Sequence, residues 1–137
     1  MSGLGGPLAG KKALVVDDEP QILKILSFKL RLSGVTPLEA TSGEEALRLV
    51  REEPPDLVLL DVSLTPGLTG FDLCRILKEN PQTSAIPIVM LTARTLPVER
   101  DLGLRLGARS YLTKPFSTKV LMKEIADALE ADLSPGS

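Results

Sequence analysis

Five short apolar runs alternate with amphipathic segments along the chain, and this alternation restricts the fold more than any other feature of the sequence. Strands that are separated by helices pair in parallel, because each connection must cross the sheet. The helices then cover both faces of that sheet. We therefore predict an α/β fold built on a doubly wound, five-stranded parallel sheet.

The predicted elements follow from the positions of these runs. Strands are predicted at Lys12–Val16, Val35–Ala40, Asp56–Leu60, Ile86–Leu91 and Arg109–Leu112. One helix is predicted to start at Asp18 and stop at Gly34, and a second to open at Ser42 and end before Pro54. The remaining helices are predicted at Gly70–Glu79, Leu96–Leu106 and Thr118–Ala131.

Residues at the boundaries support several of these assignments. Asp18 is the expected cap of the first helix, because Asp is a favoured N-cap residue and Pro20 suits the first turn. Ser42 and Glu45 have the spacing of a capping box at the start of the second helix. Pro37 has no N–H to donate, so the second strand is expected at an edge of the sheet.

The composition excludes several classes of protein. A chain of 137 residues, of which 43% are hydrophobic, is long enough for one domain with a substantial core. Histidine is absent, which excludes Ser–His and Cys–His nucleophile pairs and histidine metal sites. Cys74 is the only cysteine and cannot form an internal disulfide. The net charge of −2, without a basic run, argues against direct binding of nucleic acid.

The sequence also bears on location and domain limits. No apolar stretch reaches the ~18 residues that a membrane span needs, and the N-terminus lacks a signal-peptide pattern. We therefore expect a cytoplasmic protein with no membrane contact. One domain is expected over residues 11–131, between a flexible arm at residues 1–10 and a flexible tail at residues 132–137.

Polar side chains stand at the ends of three apolar runs. Asp17 and Asp18 follow the first run, Asp61 follows the third, and Thr92 follows the fourth. Because the carboxyl ends of parallel strands share one edge of the sheet, these residues are expected in one pocket. Two like charges ~4 Å apart repel by about 4 kcal/mol at an effective dielectric near 20, so three carboxylates require a cation. Oxygen ligands favour Mg²⁺ or a similar hard ion such as Mn²⁺.

A carboxylate beside such a cation is a competent nucleophile towards a phosphoryl group, because the metal offsets the repulsion between the two anions. Lys114 follows the fifth strand and is a candidate to bind the phosphoryl oxygens, with Thr92 as a hydrogen-bond donor to the same group. Each residue alone has a simpler interpretation: Asp61 as a turn residue, Asp17–Asp18 as helix caps, or Lys114 as a surface lysine. The presence of all five residues in this order favours the phosphoryl site. They are Asp17, Asp18, Asp61, Thr92 and Lys114.

Four segments together resemble the receiver domain of two-component response regulators, of the single-domain, chemotaxis-receiver type. They are Val15–Glu19, Leu59–Asp61, Leu91–Ala93 and Tyr111–Phe116. The resemblance spans roughly residues 11–131 and implies a flavodoxin-like (βα)5 sheet with strand order 2-1-3-4-5. It also implies a signalling switch rather than an enzyme, which assists its own Mg²⁺-dependent phosphorylation and dephosphorylation. Asp61 is then expected to accept phosphate from a sensor histidine kinase or a histidine phosphotransfer protein.

The resemblance assigns further roles to individual residues. Asp18 is expected to ligate Mg²⁺ directly and Asp17 largely through water, while Asp61 and the backbone carbonyl of Ser63 supply further oxygens. The implied switch and phosphate-binding residues are Thr92, Lys114 and Tyr111, and the auxiliary positions are Ala93, Arg94 and Pro115. A half-buried packing residue is the alternative interpretation of Tyr111. Phosphorylation is expected to change the surface formed by the fourth helix, fifth strand and fifth helix.

The loop after Asp61 departs from the family pattern. Residues 62–70 form a connection one residue longer than usual, and Thr69 stands where the family carries Asp. The extra residue either bulges outward or displaces the carbonyl of Ser63. We expect an outward bulge, because Asp61 still follows its strand directly and Thr69 can cap the third helix together with Asp72.

Two other functions fit part of the pattern. A haloacid-dehalogenase-like phosphatase also uses a strand-end Asp and Mg²⁺, but it requires a second Asp where this chain has Ser63. A degenerate receiver that acts only as a protein-interaction module is supported by the longer loop alone.

Beyond the kinase, the expected partners are a downstream protein target and a second copy, bound through the fourth helix, fifth strand and fifth helix. Since no output domain follows Ala131, we expect a stand-alone receiver or a piece of a longer regulator.

Overall fold

Five parallel strands form one sheet with helices on both faces. The computed structural model describes residues 8–64, 67–93, 96–115 and 117–131. The strands are β1 (Lys12–Val16), β2 (Thr36–Ala40), β3 (Leu57–Asp61), β4 (Ile88–Thr92) and β5 (Ser110–Thr113). The helices are α1 (Pro20–Leu32), α2 (Gly43–Glu52), α3 (Gly70–Glu79), α4 (Pro97–Arg105) and α5 (Thr118–Ala131). The strand order β2-β1-β3-β4-β5 confirms the predicted fold and topology.

The core consists of two apolar layers, one on each face of the sheet. Successive strand residues point to opposite faces, so Leu14 and Val16 pack with α2 and α3 whereas Ala13 and Val15 pack with α1 and α5. Every residue of β3 and β4 is buried. These two strands lie inside the sheet and are covered on both faces, which is why their sequences are continuously apolar.

The edge position of β2 is confirmed. This strand pairs with β1 alone, and Pro37 lies opposite Ala13 in the register. A proline is tolerated there because an edge strand leaves one row of its N–H groups outside the ladder. Within the described residues, every helix is too short or too polar to cross a lipid bilayer.

Three strands end one residue later than predicted, and the additional residues are polar. The last residues of β3, β4 and β5 are Asp61, Thr92 and Thr113. Backbone pairing continues to these positions, since Asp61 lies opposite Leu91 and Thr92 lies opposite Thr113. The candidate chemical groups are therefore held by the sheet itself rather than by the loops that follow it.

The predicted starts of four strands are wrong by one or two residues. β4 begins at Ile88 because the N–H of Ile86 donates to a carbonyl of the preceding turn at 3.0 Å. β2 begins at Thr36 because the N–H of Val35 completes the end of α1 by donating to Leu30 at 3.0 Å. β3 and β5 each begin one residue later than predicted, after the charged residues Asp56 and Arg109. At β2 and β4 the apolar residues Val35 and Ile86 are thus part of the turns that lead into the strands.

The predicted cap of α1 is also wrong. The N-cap position is Glu19, whose side chain makes no capping hydrogen bond, and Pro20 is the first helical residue. Asp17, rather than Asp18, accepts the backbone N–H of Glu19 through Oδ1 at 2.9 Å. Asp18 lies before the helix and is exposed. Gly34, at a positive φ of 87°, follows the end of α1 as predicted.

The starts of α2 and α3 follow the predicted capping residues. The hydroxyl of Ser42 accepts the N–H of Glu45 at 3.1 Å, and the Glu45 carboxylate accepts the N–H of Thr41 at 2.7 Å. At α3, Thr69 and Asp72 form the complete reciprocal capping box. The residue that replaces the usual Asp in the longer loop therefore starts α3.

α4 is the least deeply packed of the helices whose burial is described. It is one residue shorter at each end than predicted, and its buried residue is Gly103. A Cβ at Gly103 would lie 2.8 Å from the sulfur of Met90 and 3.1 Å from Cδ2 of Tyr111. The missing side chain thus allows α4 to approach β4 and β5 closely.

The predicted arm lies partly, and the predicted tail wholly, outside the described residues. Residues 8–10 form a turn that leads into β1, and Leu8 packs against the apolar layer beneath α1 and α5. The N–H of Lys11 donates to the carbonyl of Leu8 at 3.1 Å. Residues 1–7 of the predicted arm and residues 132–137 of the predicted tail lie outside the described ranges.

Gly70 brings the start of α3 against the end of β3. Its N–H donates to the carbonyl of Val62 at 3.0 Å. A Cβ at this position would overlap the carbonyl oxygen of Asp61 and would lie 2.6 Å from Cα of Val62. The close approach of the two backbones therefore requires glycine.

We expect Gly70→Ala to lower the free energy of unfolding by about 1–3 kcal/mol, because the added methyl group forces backbone atoms apart. Urea denaturation measures this loss. Arg75→Ala changes an exposed position of the same helix and is expected to alter stability by less than about 0.5 kcal/mol. Equal stability of the two variants would contradict the close approach.

Candidate functional site

Three carboxylates meet at the carboxyl ends of the neighbouring strands β1 and β3. Each of Asp17, Asp18 and Asp61 offers one oxygen, and these oxygens lie within 4.8 Å of one another. Asp17 is 2% exposed and Asp61 5% exposed, whereas Asp18 faces solvent. Two buried acids and one exposed acid thus form the pocket that the strand ends predict.

Lys114 supplies positive charge to this cluster. Its Nζ lies 2.9 Å from Oδ2 of Asp17, 3.7 Å from Oδ2 of Asp61 and 3.8 Å from Oε1 of Glu19. The lysine side chain is 16% exposed, so solvent screens these interactions less than it would at the surface. The N–H of Lys114 donates to the carbonyl of Thr92 at 2.6 Å, which continues the β4–β5 pairing and fixes where the lysine leaves the sheet.

Backbone N–H groups orient the two buried carboxylates. Oδ1 of Asp61 accepts the N–H of Ser63 at 3.1 Å, and Oδ1 of Asp17 accepts the N–H of Glu19 at 2.9 Å. In each case the donor lies two residues after the aspartate, where the chain turns away from the sheet. One oxygen of each carboxylate is therefore held by its own loop, and the other points towards Lys114.

The charges in the pocket shift one another's pKa values. Burial raises the pKa of Asp61 above its ordinary value of 3.8, and the charges of Asp17 and Asp18 raise it further, against the opposing effects of the Ser63 N–H and Lys114. Burial alone would lower the pKa of Lys114, but the hydrogen bond to Asp17 and the nearby carboxylates raise it overall. The pocket therefore disfavours a further negative charge and stabilises a positive one.

The donor set suits a hard divalent cation. The ligands are carboxylate oxygens, and among the described residues the cluster contains neither histidine nor cysteine. Asp18 is exposed and has an open approach from solvent. The cluster is thus able to bind a metal ion through Asp17, Asp18 and Asp61.

The remaining predicted site residues lie in three places. Thr92 is fully buried at the end of β4, next to the β3 strand that ends in Asp61. Ala93 and Pro115 lie beside Lys114, and together they line an open groove. Tyr111 is buried in the layer beneath α2 and α3 and lies against Gly103.

One predicted auxiliary position, Arg94, lies outside the described residues. Ser63 is exposed and is placed beside Asp61 through its N–H. Sequence reasoning missed Glu19, whose Oε1 lies 3.8 Å from Nζ of Lys114 and which directly follows the two acids after β1. Its position next to Asp17 and Asp18 was the available signal.

Comparison with known proteins identifies this arrangement. Residues 13–126 match the family model of the response regulator receiver domain. The chain belongs to this family. A receiver domain is a phosphoryl-accepting switch of two-component signalling rather than a classical enzyme, and the family implies a histidine kinase as partner.

Solved structures support the assignment. A putative response regulator from Chloroflexus aurantiacus is 36% identical, with a TM-score of 0.82 over 87% of this receiver and 97% of that chain. Chemotaxis protein CheY4 of Vibrio cholerae is 33% identical, with a TM-score of 0.81 over 88% of this receiver and 100% of that chain. The BeF3-activated receiver domain of RstA from Klebsiella pneumoniae is 32% identical, with a TM-score of 0.80 over 87% and 98% of the two chains.

Removal of Lys114 is expected to destabilise the metal-free receiver. In Lys114→Met the buried carboxylates of Asp17 and Asp61 lose their compensating charge, which should cost about 1–2 kcal/mol after allowance for partial exposure. Urea denaturation in EDTA measures the loss, and saturating Mg²⁺ should reduce it. Lys24→Met, at an exposed position of α1, is the control. Equal losses in the two variants would show that the charge of Lys114 contributes nothing to stability.

The raised pKa of Asp61 predicts a pH-dependent effect of Asp61→Asn. A carboxyl group whose pKa is raised by folding contributes stability below the unfolded value, near 3.8, and loses it as the pH rises through the folded value. In metal-free buffer Asp61→Asn should therefore be more stable than wild type at pH 7, and the difference should shrink towards pH 4. Denaturation curves at several pH values check this, with exposed Asp101→Asn as the control. If the difference in stability between Asp61→Asn and wild type does not change with pH, the raised pKa of Asp61 is contradicted.

Proposed function

We propose that Asp61 is the residue that accepts the phosphoryl group, from a phosphohistidine of a sensor histidine kinase or a histidine phosphotransfer protein. The observation that carries the proposal is the position of Asp61, which is buried at the end of β3 between two further carboxylates and the ammonium group of Lys114. The pocket concentrates negative charge around the single ammonium group of Lys114. This arrangement suits a dianionic phosphoryl group that arrives together with a metal ion.

The proposed reaction is a direct displacement. A carboxylate oxygen of Asp61 attacks phosphorus, the N–P bond of the phosphohistidine breaks, and its electron pair returns to the imidazole as the acyl phosphate forms. The hydrogen bond from Ser63 to Oδ1 keeps the carboxylate oriented during the attack. Lys114, already 3.7 Å from Oδ2 of Asp61, binds the transferred phosphoryl oxygens as a point charge.

The proposed cofactor is Mg²⁺ or Mn²⁺, held by Asp17, Asp18, Asp61 and the backbone carbonyl of Ser63. When bound, the ion neutralises part of the charge on the carboxylate and the phosphoryl group. Asp17 already uses both of its oxygens for Lys114 and the Glu19 N–H. Exposed Asp18 is therefore the proposed direct ligand, and Asp17 contributes largely through water.

An open groove next to the carboxylates supports the approach of the phosphoryl donor. It has a volume of about 560 Å³ and is lined by Ile22, Ile25 and Lys29 of α1, by Ala93, and by Lys114, Pro115 and Thr118. Its wall is largely apolar, and Lys114 connects it to the acidic pocket. A helix of the donor that carries the phosphohistidine would bury this surface and bring its phosphoryl group to Asp61.

Phosphorylation is proposed to act on the surface formed by α4, β5 and α5. A phosphoryl group adds about −1.5 to −2 charge at pH 7, which draws Lys114 and the Thr92 hydroxyl towards it. Tyr111 of β5 packs against Gly103 of α4, so a shift of Thr92 is transmitted through β4 and β5 to this tyrosine. Shallow packing of α4 makes it the part of this surface with the least resistance to movement.

The same surface is the proposed site for a downstream target or a second copy of the receiver. Its exposed apolar side chains are Leu96, Val98 and Leu102 around α4 and Val120 on α5.

We further propose that the domain comprises residues 11–131, that it works in the cytoplasm, and that it contacts neither nucleic acid nor membrane directly. The family match over residues 13–126 supports the proposed domain.

The decisive experiment is phosphorylation with acetyl phosphate and Mg²⁺, followed by intact-protein mass spectrometry. We expect wild type to gain one phosphoryl group and Asp61→Asn to gain none, because the amide lacks the nucleophilic carboxylate oxygen. Beryllofluoride should likewise shift the NMR resonances of Tyr111 in wild type only. The matched control is Asp101→Asn, which removes an exposed carboxylate of α4 and should behave as wild type.

Two results would reject the proposal. If Asp61→Asn is phosphorylated as fast as wild type, another residue is the acceptor. If wild type responds to neither reagent at saturating Mg²⁺, the chain is a degenerate receiver that acts only through protein contacts.

A further inference from the structure

The longer loop after Asp61 is fastened to the first turn of α2. The N–H of Leu68 donates to Oε2 of Glu44 at 3.2 Å. The carboxylate of Glu44 also lies against Gly67, where a Cβ would be 2.6 Å from Oε2 and 3.0 Å from Oε1. We call Gly43, Glu44, Gly67 and Leu68 the loop latch.

Both sides of the loop latch depend on glycine. Gly67 has a φ of 95°, a conformation that residues with a side chain rarely adopt, and its missing Cβ leaves room for the Glu44 carboxylate. A Cβ at Gly43 would lie 2.8 Å from Cβ of Leu68, so the first residue of α2 also allows close contact. The helix and the loop therefore fit each other at two adjacent positions.

The α2 side of the loop latch is firmly held. The Ser42 hydroxyl accepts the N–H of Glu45, and the Glu45 carboxylate accepts the N–H of Thr41 at 2.7 Å. The preceding residue, Ala40, ends β2, and its carbonyl accepts the N–H of Asp17 at 3.1 Å. Glu44 thus extends from a capped helix that is joined to the backbone of the acidic pocket.

The loop side leads directly to the phosphoryl-acceptor residue. Thr69 caps α3 immediately after Leu68, and the next residue, Gly70, donates its N–H to the carbonyl of Val62 at 3.0 Å. Gly70 also lies against the carbonyl of Asp61. A displacement of Leu68 is therefore passed through two residues to the backbone that precedes Ser63.

We propose that Glu44 is a positioning residue of the metal and phosphoryl site, which acts through the N–H of Leu68. By holding the far end of the loop against α2, it keeps the carbonyl of Ser63 in place for the cation. This inference rests on the proposed function of Asp61. It also accounts physically for how a connection one residue longer than usual is accommodated beside the metal site.

A purely structural role of Glu44 makes a different prediction. A carboxylate in the first turn of a helix stabilises that helix through its charge. Glu44→Gln removes this charge but retains a side-chain carbonyl that can accept the N–H of Leu68. Glu44→Ala removes both. A positioning role through the hydrogen bond therefore requires that Gln preserves the function and Ala does not.

The first measurement needs neither metal nor phosphate. Amide hydrogen exchange by NMR in EDTA should show the Leu68 amide exchanging about 5-fold faster in Glu44→Ala, as expected for the loss of one hydrogen bond. Glu44→Gln should remain close to wild type. Glu52→Ala removes an exposed carboxylate at the other end of α2 and serves as the control.

The second measurement is Mg²⁺ affinity by titration calorimetry. We expect Glu44→Ala to weaken Mg²⁺ binding by about 10-fold, as is typical when a residue that supports metal ligands is lost. Phosphorylation by acetyl phosphate should then be slow at low Mg²⁺ and approach the wild-type rate at saturating Mg²⁺. Gly67→Ala, which pushes the Glu44 carboxylate away, should weaken Mg²⁺ binding as well. The double variant Glu44→Ala/Gly67→Ala should bind Mg²⁺ little more weakly than either single variant, because both substitutions remove the same contact.

Wild-type Mg²⁺ affinity in Glu44→Ala would overturn the inference, even if the Leu68 amide exchanges faster, because the loop latch would then serve stability alone. An equal loss in Glu44→Gln and Glu44→Ala would also overturn it, because charge rather than the hydrogen bond would be responsible. Neither result affects the proposed function, which fails only if Asp61→Asn is phosphorylated or wild type is not.

Discussion

The repulsion among Asp17, Asp18 and Asp61 is the constraint on which the rest of the structure depends. Their oxygens lie within 4.8 Å of one another, and two of the three side chains are buried. Such a cluster persists because Lys114 contributes one opposite charge and backbone N–H groups bind one oxygen of each buried acid. The charge that remains uncompensated is what makes the pocket receptive to a divalent cation.

The fold places these charges with little freedom. Each acid and the hydroxyl of Thr92 stand at or beside the end of a central strand whose apolar residues are buried on both faces. A strand locked into the core by its apolar residues cannot adjust its last residue to relieve repulsion. The sheet thus stabilises an arrangement that the isolated charges oppose, whereas α4 is packed only shallowly, through Gly103.

Much of the fold was predictable because it rests on local patterns. The alternation of apolar runs and amphipathic segments predicted the sheet, Pro37 predicted the edge strand, and Thr69 with Asp72 predicted the start of α3. Errors arose where two local signals competed. Asp18 is of a residue type that often caps helices. However, the helix begins at Pro20, which is too late for Asp18 to occupy the N-cap position. The polar ends of three strands were missed because pairing with a neighbouring strand, not hydrophobicity, decides where a strand stops.

By itself, the sequence determined the five-strand alternation, the acids at the strand ends and the lysine that follows β5, because hydrophobic periodicity and the succession of residues along the chain need no knowledge of distant contacts. Only the tertiary structure decided which carboxylate oxygen Lys114 meets, why Gly103 and Gly70 are glycines, and how Glu44 holds Leu68 across 24 positions of sequence. These are contacts between segments that only the packed sheet and helices bring together, so no local pattern in the chain encodes them.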